Sequence, residues 1–155
     1  MLEHIHGSVN VETKNKKLFC LISALAYYVC FQYSKSFILI RKLQSDTVIA
    51  SLISLFLNRN FDQLLNEIDQ IIIDSSYSDE YLAEHFEEDN ATKIYEIIIA
   101  KSLNYYVQFY QTGNKDFLEI AKKDLVNLQE VAAMRGEPDV WWVIRLLLLI
   151  IDGFK

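Results

Sequence analysis

His4 and His6 stand two positions apart, the spacing at which an extended strand turns both imidazoles to one side, and such a pair is half of a zinc site. No Cys/His pair elsewhere completes four ligands. The two histidines are therefore read as part of a polar leader, and no metal is assigned. His85 lies among Glu84, Glu87 and Glu88, but Tyr occupies position 81 and Asp position 89, so no second histidine stands one helical turn away. It reads as a surface histidine coupled to its carboxylate neighbours. Adjacent carboxylates recur in Asp79-Glu80 and Glu87-Glu88. Neighbours on a helix diverge by about 100°, which does not make an acid/base pair. The four glycines, at 7, 113, 136 and 153, are too dispersed to form the GxxxxGK[ST] cradle that holds a nucleotide's phosphates. Neither a catalytic residue nor a cofactor is assigned to this chain.

Two groups of residues point to contact rather than catalysis. Glu84, Glu87, Glu88 and Asp89 form an acidic stretch, read first as a solvated helix face and alternatively as a docking patch for a basic partner. Trp141 to Ile151 is the other: it carries Arg145 as its single charge and ends four residues before Lys155. A helix apolar on every side has to be covered on every side. The expectation is a cover supplied from outside these 155 residues, by the remainder of a longer chain, a protein partner or a second copy. Trp141, Trp142, Leu149 and Ile150 are the candidate interface, because neighbouring tryptophans diverge by about 100° and one of them faces sideways, where tryptophan is a favoured anchor.

Composition sets the frame for these residues. A chain of 155 residues can bury close to 70% of the surface its unfolded form exposes, so a real core is within reach. Its 52% hydrophobic content and mean hydropathy of +0.11 exceed what a freestanding domain needs, which again implies a partner surface. A net charge of −6 argues against a broad grip on a phosphate backbone, so direct nucleic-acid binding is not expected. Lys14, Lys16 and Lys17 precede an apolar run from Leu18 to Phe31 that resembles a signal peptide. The run starts late, lacks a small-residue cleavage site and falls short of the roughly 20 residues a spanning helix needs, so it is read as a core helix and no membrane is expected. Cys20 and Cys30, ten residues apart on that helix, would be about 15 Å apart, beyond disulfide reach. They read as buried thiols in a reducing cytoplasm.

One proline and four glycines leave long helices uninterrupted. After a polar leader, 1–15, a single α-helical domain is expected over 16–155. Helices are predicted from Lys16 to Gln32, from Ser34 or Ser36 to Leu43, and from Ser45-Asp46 to Leu57 with a stripe of Val48, Leu52, Leu55 and Phe56. Phe61, Leu64, Leu65, Ile68, Ile71 and Ile72 recur at three- and four-residue intervals, an amphipathic helix that outweighs a strand reading of Ile71-Ile72-Ile73. Ser75-Ser76-Tyr77-Ser78 reads as a loop, and Asp79-Glu80 as the acidic first turn of a further helix. Helices then follow over Thr92–Gln111, from Asn114 or Lys115 to Arg135, and from Pro138 onward, separated by Thr112-Gly113-Asn114 and Gly136-Glu137-Pro138. The result is an all-α, antiparallel, tetratricopeptide-like stack of about seven or eight helices. Tyr27-Tyr28-Val29 with Phe37 is echoed by Tyr105-Tyr106-Val107 with Phe117, either a duplication or a stack without strict repeats.

The stretches Ser23-Ala24-Leu25-Ala26-Tyr27-Tyr28, Ala100-Lys101-Ser102-Leu103-Asn104-Tyr105-Tyr106, Thr112-Gly113-Asn114 and Asp139-Val140-Trp141-Trp142-Val143-Ile144-Arg145-Leu146-Leu147 together resemble the helical N-terminal region of large bacterial DEAD/DEAH-box superfamily-two helicases. The resemblance implies that motor domains, with their nucleotide-binding lysine and acidic motif, lie beyond Lys155. It also implies a non-catalytic cytoplasmic scaffold in nucleic-acid processing or phage defence. None of the family's functional residues can be carried over, because these are packing signatures. The competing expectation is a complete small adaptor or inhibitor that docks through its apolar C-terminal helix.

Overall fold

Scarcity of helix breakers governs what forms. The computed structural model describes residues 19–43, 47–75 and 91–153, and within them the chain makes seven helices and no strand. These are α1 (19–29), α2 (Tyr33–Leu43), α3 (Val48–Leu57), α4 (Phe61–Ser75), α5 (Ala91–Thr112), α6 (Lys115–Met134) and α7 (Pro138–Ile151). The fold is an all-α helical stack. The leader 1–15, both leader histidines, His85 and the acidic stretch lie outside the described residues.

Local chemistry sets the helix ends. Thr47 caps α3: its Oγ1 accepts the Ala50 N–H at 3.0 Å, satisfying one donor of the first turn, while Ser45-Asp46 lie outside the described residues. Asn114 Oδ1 does the same for Asp116 N–H at the start of α6. Pro138 opens α7, where its missing N–H costs nothing. At the C-termini, left-handed residues turn the chain. Gly113 (φ 73°) and Gly136 (φ 70°) do so without strain, whereas Phe31 (φ 64°) and Arg59 (φ 57°) do so with a side chain. In both side-chain cases the next residue's N–H reaches five back, Gln32 to Tyr27 O and Asn60 to Leu55 O, the hydrogen bond of a Schellman turn.

The chain divides into two compact units, one of Ser51–Leu128 and one of the described residues up to Ala50 with those from Gln129 onward. Within Ser51–Leu128, α3, α4, α5 and α6 follow one another antiparallel. Ser51 Oγ near the start of α3 donates to Glu67 Oε2 well along α4 at 2.9 Å. Phe61 at the start of α4 meets Tyr110 near the end of α5, and Tyr105 of α5 stacks on Phe117 of α6. Where the spacing predicts a stripe on α3, the structure buries every residue from Leu52 to Leu57 and leaves Val48 exposed, because α3 lies inside rather than along a surface. Tyr110, near the end of α5, is exposed at the rim, where its ring meets Phe61 and the Arg59 guanidinium.

In the other unit α1 and α2 form a hairpin. Ser36 is fully buried and donates its hydroxyl to Ala24 O at 2.7 Å, while Tyr28 packs edge-on against Tyr33 and Phe37. The echo seen in the sequence thus becomes two hairpins closed by aromatic rings, though not in one register. Tyr28 lies three residues before its left-handed residue and Tyr105 eight before Gly113. The end of α6 turns at Gly136 into α7, where Val143, Ile144, Leu146, Leu147, Leu148, Ile150 and Ile151 are buried. This chain itself therefore supplies most of the cover that the sequence assigned to an outside body. Cys30, expected inside, is exposed because α1 ends at residue 29 and the turn carries the thiol outward; both cysteines are free.

Leu52→Ala, which removes a fully buried side chain of α3, is expected to lower the unfolding free energy by about 2–5 kcal/mol in urea titration. Gly113→Ala meets no atom within 4 Å, so its expected cost is the left-handed backbone alone, about 1–2 kcal/mol in the same titration.

Candidate functional site

Two surfaces carry side chains whose exposure folding does not explain. The first is on α7. Trp142, Arg145 and Leu149 recur at i, i+3 and i+7, which places them along one face, and all three are exposed. Trp142 is 50% and Leu149 37% exposed, while Ile150 is 8% exposed and lies on the inner side. Trp141 is half-buried and meets Trp142 edge to face, with ring centroids 4.9 Å apart. The structure so brings Trp141, Trp142 and Leu149 to one side of the helix and separates Ile150 from them. The strip is narrower than the apolar run, since seven of the fourteen residues of α7 are turned inward. Met134, 86% exposed at the end of α6, is another large apolar side chain left in water.

The second surface is one the sequence reading passed over. Along α2, Ser34, Lys35, Ile38, Arg41 and Lys42 are exposed, and their spacing places them on one face. α2 has no acidic residue in its sequence, a local reversal of the charge in a chain of net −6. Lys35 Nζ lies 5.6 Å from the Tyr27 ring centroid, a cation held over an aromatic face. Among the described residues no carboxylate lies within ion-pair distance of Arg41 or Lys42. Ile38, in the middle of this face, is 56% exposed. At the N-terminal end the turn presents Phe31, 63% exposed, its ring 6.2 Å from that of the exposed Tyr33. The sequence signal was available in the run Lys35, Arg41, Lys42 without an intervening acid, with Ile38 sharing its helical face.

Among the described residues no group of three or more His, Cys, Asp or Glu could hold a metal ion. Nor is any described helix long and apolar enough to cross a membrane. The two faces are an apolar strip around one arginine and a cationic ridge with an aromatic end.

No family model matches the chain. No solved structure matches it either. Over its whole length, 155 residues, the chain is 34% identical to Hachiman protein HamB of Bacillus cereus. The likeness therefore takes in all seven described helices and both exposed faces. The chain spans 13% of the length of that relative, and it is thus similar to one portion of a much longer protein.

Proposed function

We propose that the chain is a non-catalytic helical module of a larger, HamB-like protein with a DEAD/DEAH-box helicase motor, acting in the cytoplasm as a scaffold in phage defence or nucleic-acid processing. The observation that carries this reading is the unbroken 34% identity of the whole chain to 13% of that relative. The resemblance of its helices to the N-terminal region of superfamily-two helicases supports the same reading. The module works by protein contact, and the α7 strip of Trp142, Arg145 and Leu149 is its docking face toward the remainder of the larger chain. Tryptophan and arginine are the residues that most often anchor interfaces. A large aromatic held half in water by its neighbour is pre-ordered for that role, because little rotamer freedom remains to be lost on docking.

The isolated chain is expected to show neither ATP hydrolysis nor micromolar ATP affinity in calorimetry, since its dispersed glycines cannot cradle phosphates. Micromolar binding would contradict the scaffold assignment. On α7 the exposed and buried residues should separate cleanly. Trp142→Ser and Leu149→Ser are expected to change the unfolding free energy by less than about 1 kcal/mol. Ile150→Ser and Leu147→Ala should each cost about 2–5 kcal/mol. In cells expressing the larger protein and challenged with phage, the Trp142→Ser/Leu149→Ser variant should lose protection while accumulating to the wild-type level. Undiminished protection would sink the docking assignment.

A further inference from the structure

Arg145 interrupts an otherwise apolar strip. An arginine on an exposed helix face commonly pairs with a carboxylate three or four residues away on the same helix. Those positions hold Trp141, Trp142, Leu148 and Leu149, so α7 offers the guanidinium no side-chain acceptor. Among the described residues no carboxylate lies within ion-pair distance of it either. On the same face Trp142 and Leu149 gain by leaving water, and they stand seven residues, about 10.5 Å, apart along the helix axis. A body that covers both also covers the guanidinium between them. A cation taken out of water without a partner is strongly unfavourable, whereas a carboxylate meets a guanidinium through two parallel N–H···O bonds.

On the reading that α7 docks onto the remainder of the larger chain, on which this inference rests, we propose that the occupant of the strip is a helix of that remainder which presents an aspartate or glutamate to Arg145. An apolar residue one turn to either side of the acid covers Trp142 and Leu149. A helix laid along α7 supplies three such side chains at the intervals of Trp142, Arg145 and Leu149. Charge complementarity selects this occupant over two others. A phosphate backbone is gripped by several cations together, whereas Arg145 is the sole cation of α7 and Asp139 stands in its first turn. A second copy of the strip, laid antiparallel so that Trp142 of each copy meets Leu149 of the other, brings the two Arg145 guanidinia side by side, where they repel.

The test is hydrogen–deuterium exchange of α7, followed in the isolated chain and in the larger protein. Exchange should be about tenfold slower in the larger protein. Arg145→Glu and Arg145→Met should each remove that protection while leaving the helical circular dichroism of the isolated chain unchanged, and Arg145→Lys should keep part of it. The segment of the larger protein that loses protection together with α7 in the Arg145→Glu variant should carry an aspartate or glutamate with apolar residues three or four positions before and after it. Replacing that acid by lysine should restore protection in the Arg145→Glu background and remove it in the wild type. Equal exchange of α7 in the isolated chain and in the larger protein, with Trp142→Ser/Leu149→Ser changing neither, sinks the docking reading and this proposal with it. Slower exchange that Trp142→Ser/Leu149→Ser removes, but that Arg145→Glu and Arg145→Met both preserve, leaves the docking reading standing and overturns the carboxylate. So does a partner segment without an acid, a lysine replacement that restores nothing, or protection of α7 in the isolated chain by a short oligothymidine.

Discussion

Everything in this molecule answers to one constraint: a helix with no polar side cannot face water anywhere. α3 meets it from Leu52 through Leu57, all buried, and leaves only its first turn partly in water at Val48. The helices after it in the chain are amphipathic, and α4 buries Leu64 and Ile68 while Asp62, Asp69 and Gln70 stay outside. α7 obeys the same rule on its inner side and relaxes it only along Trp142, Arg145 and Leu149.

Buried polarity is kept small and local. Ser36 and Ser102 are inside, and each gives its hydroxyl to a backbone carbonyl, Ala24 O across the α1–α2 hairpin and Ile98 O one turn back along α5. Buried Ser54 has Asn58 beside it, whose side-chain amide donates to Ser54 O at 2.9 Å. Such short hydroxyls are satisfied without a buried charge, so two helices can approach closely where they stand. Between the helices the aromatic rings act as spacers, Phe56 against Tyr106 and Tyr105 against Phe117, each an edge or stacked contact worth somewhat more than its area alone.

Much of this was legible in the sequence, for physical reasons that particular residues show. The period of Phe61, Leu64, Leu65 and Ile68 announced α4, and glycine at 113 and 136 announced two of the turns, because few other residues adopt a left-handed conformation cheaply. Phe31 and Arg59 make the same kind of turn without glycine. Composition gives no sign of that, and the predicted end of α1 ran past the true one. The all-round burial of α3 was hidden as well, since an amphipathic stripe and a fully apolar run look alike over ten residues. Of the candidate site, Trp142 and Leu149 could be named from sequence, but the division between Leu149 and Ile150 could not: adjacent residues differ only by rotation about an axis that neighbouring helices fix. The basic face of α2 was overlooked because a balance taken over the whole chain averages away three cations with no acid among them.

The division of the chain also bears on the order in which it can assemble. Ser51–Leu128 is one uninterrupted stretch, built from helices that are neighbours in sequence, so its contacts are the more local ones and can form early. The other unit draws on both sides of that stretch and has to wait for α7 to be synthesised. Until then the hairpin of α1 and α2 lacks the helix that completes its unit, and its apolar side chains are held back from burial longest. In the order of synthesis the whole of Ser51–Leu128 thus stands between the hairpin and the helix that completes its unit.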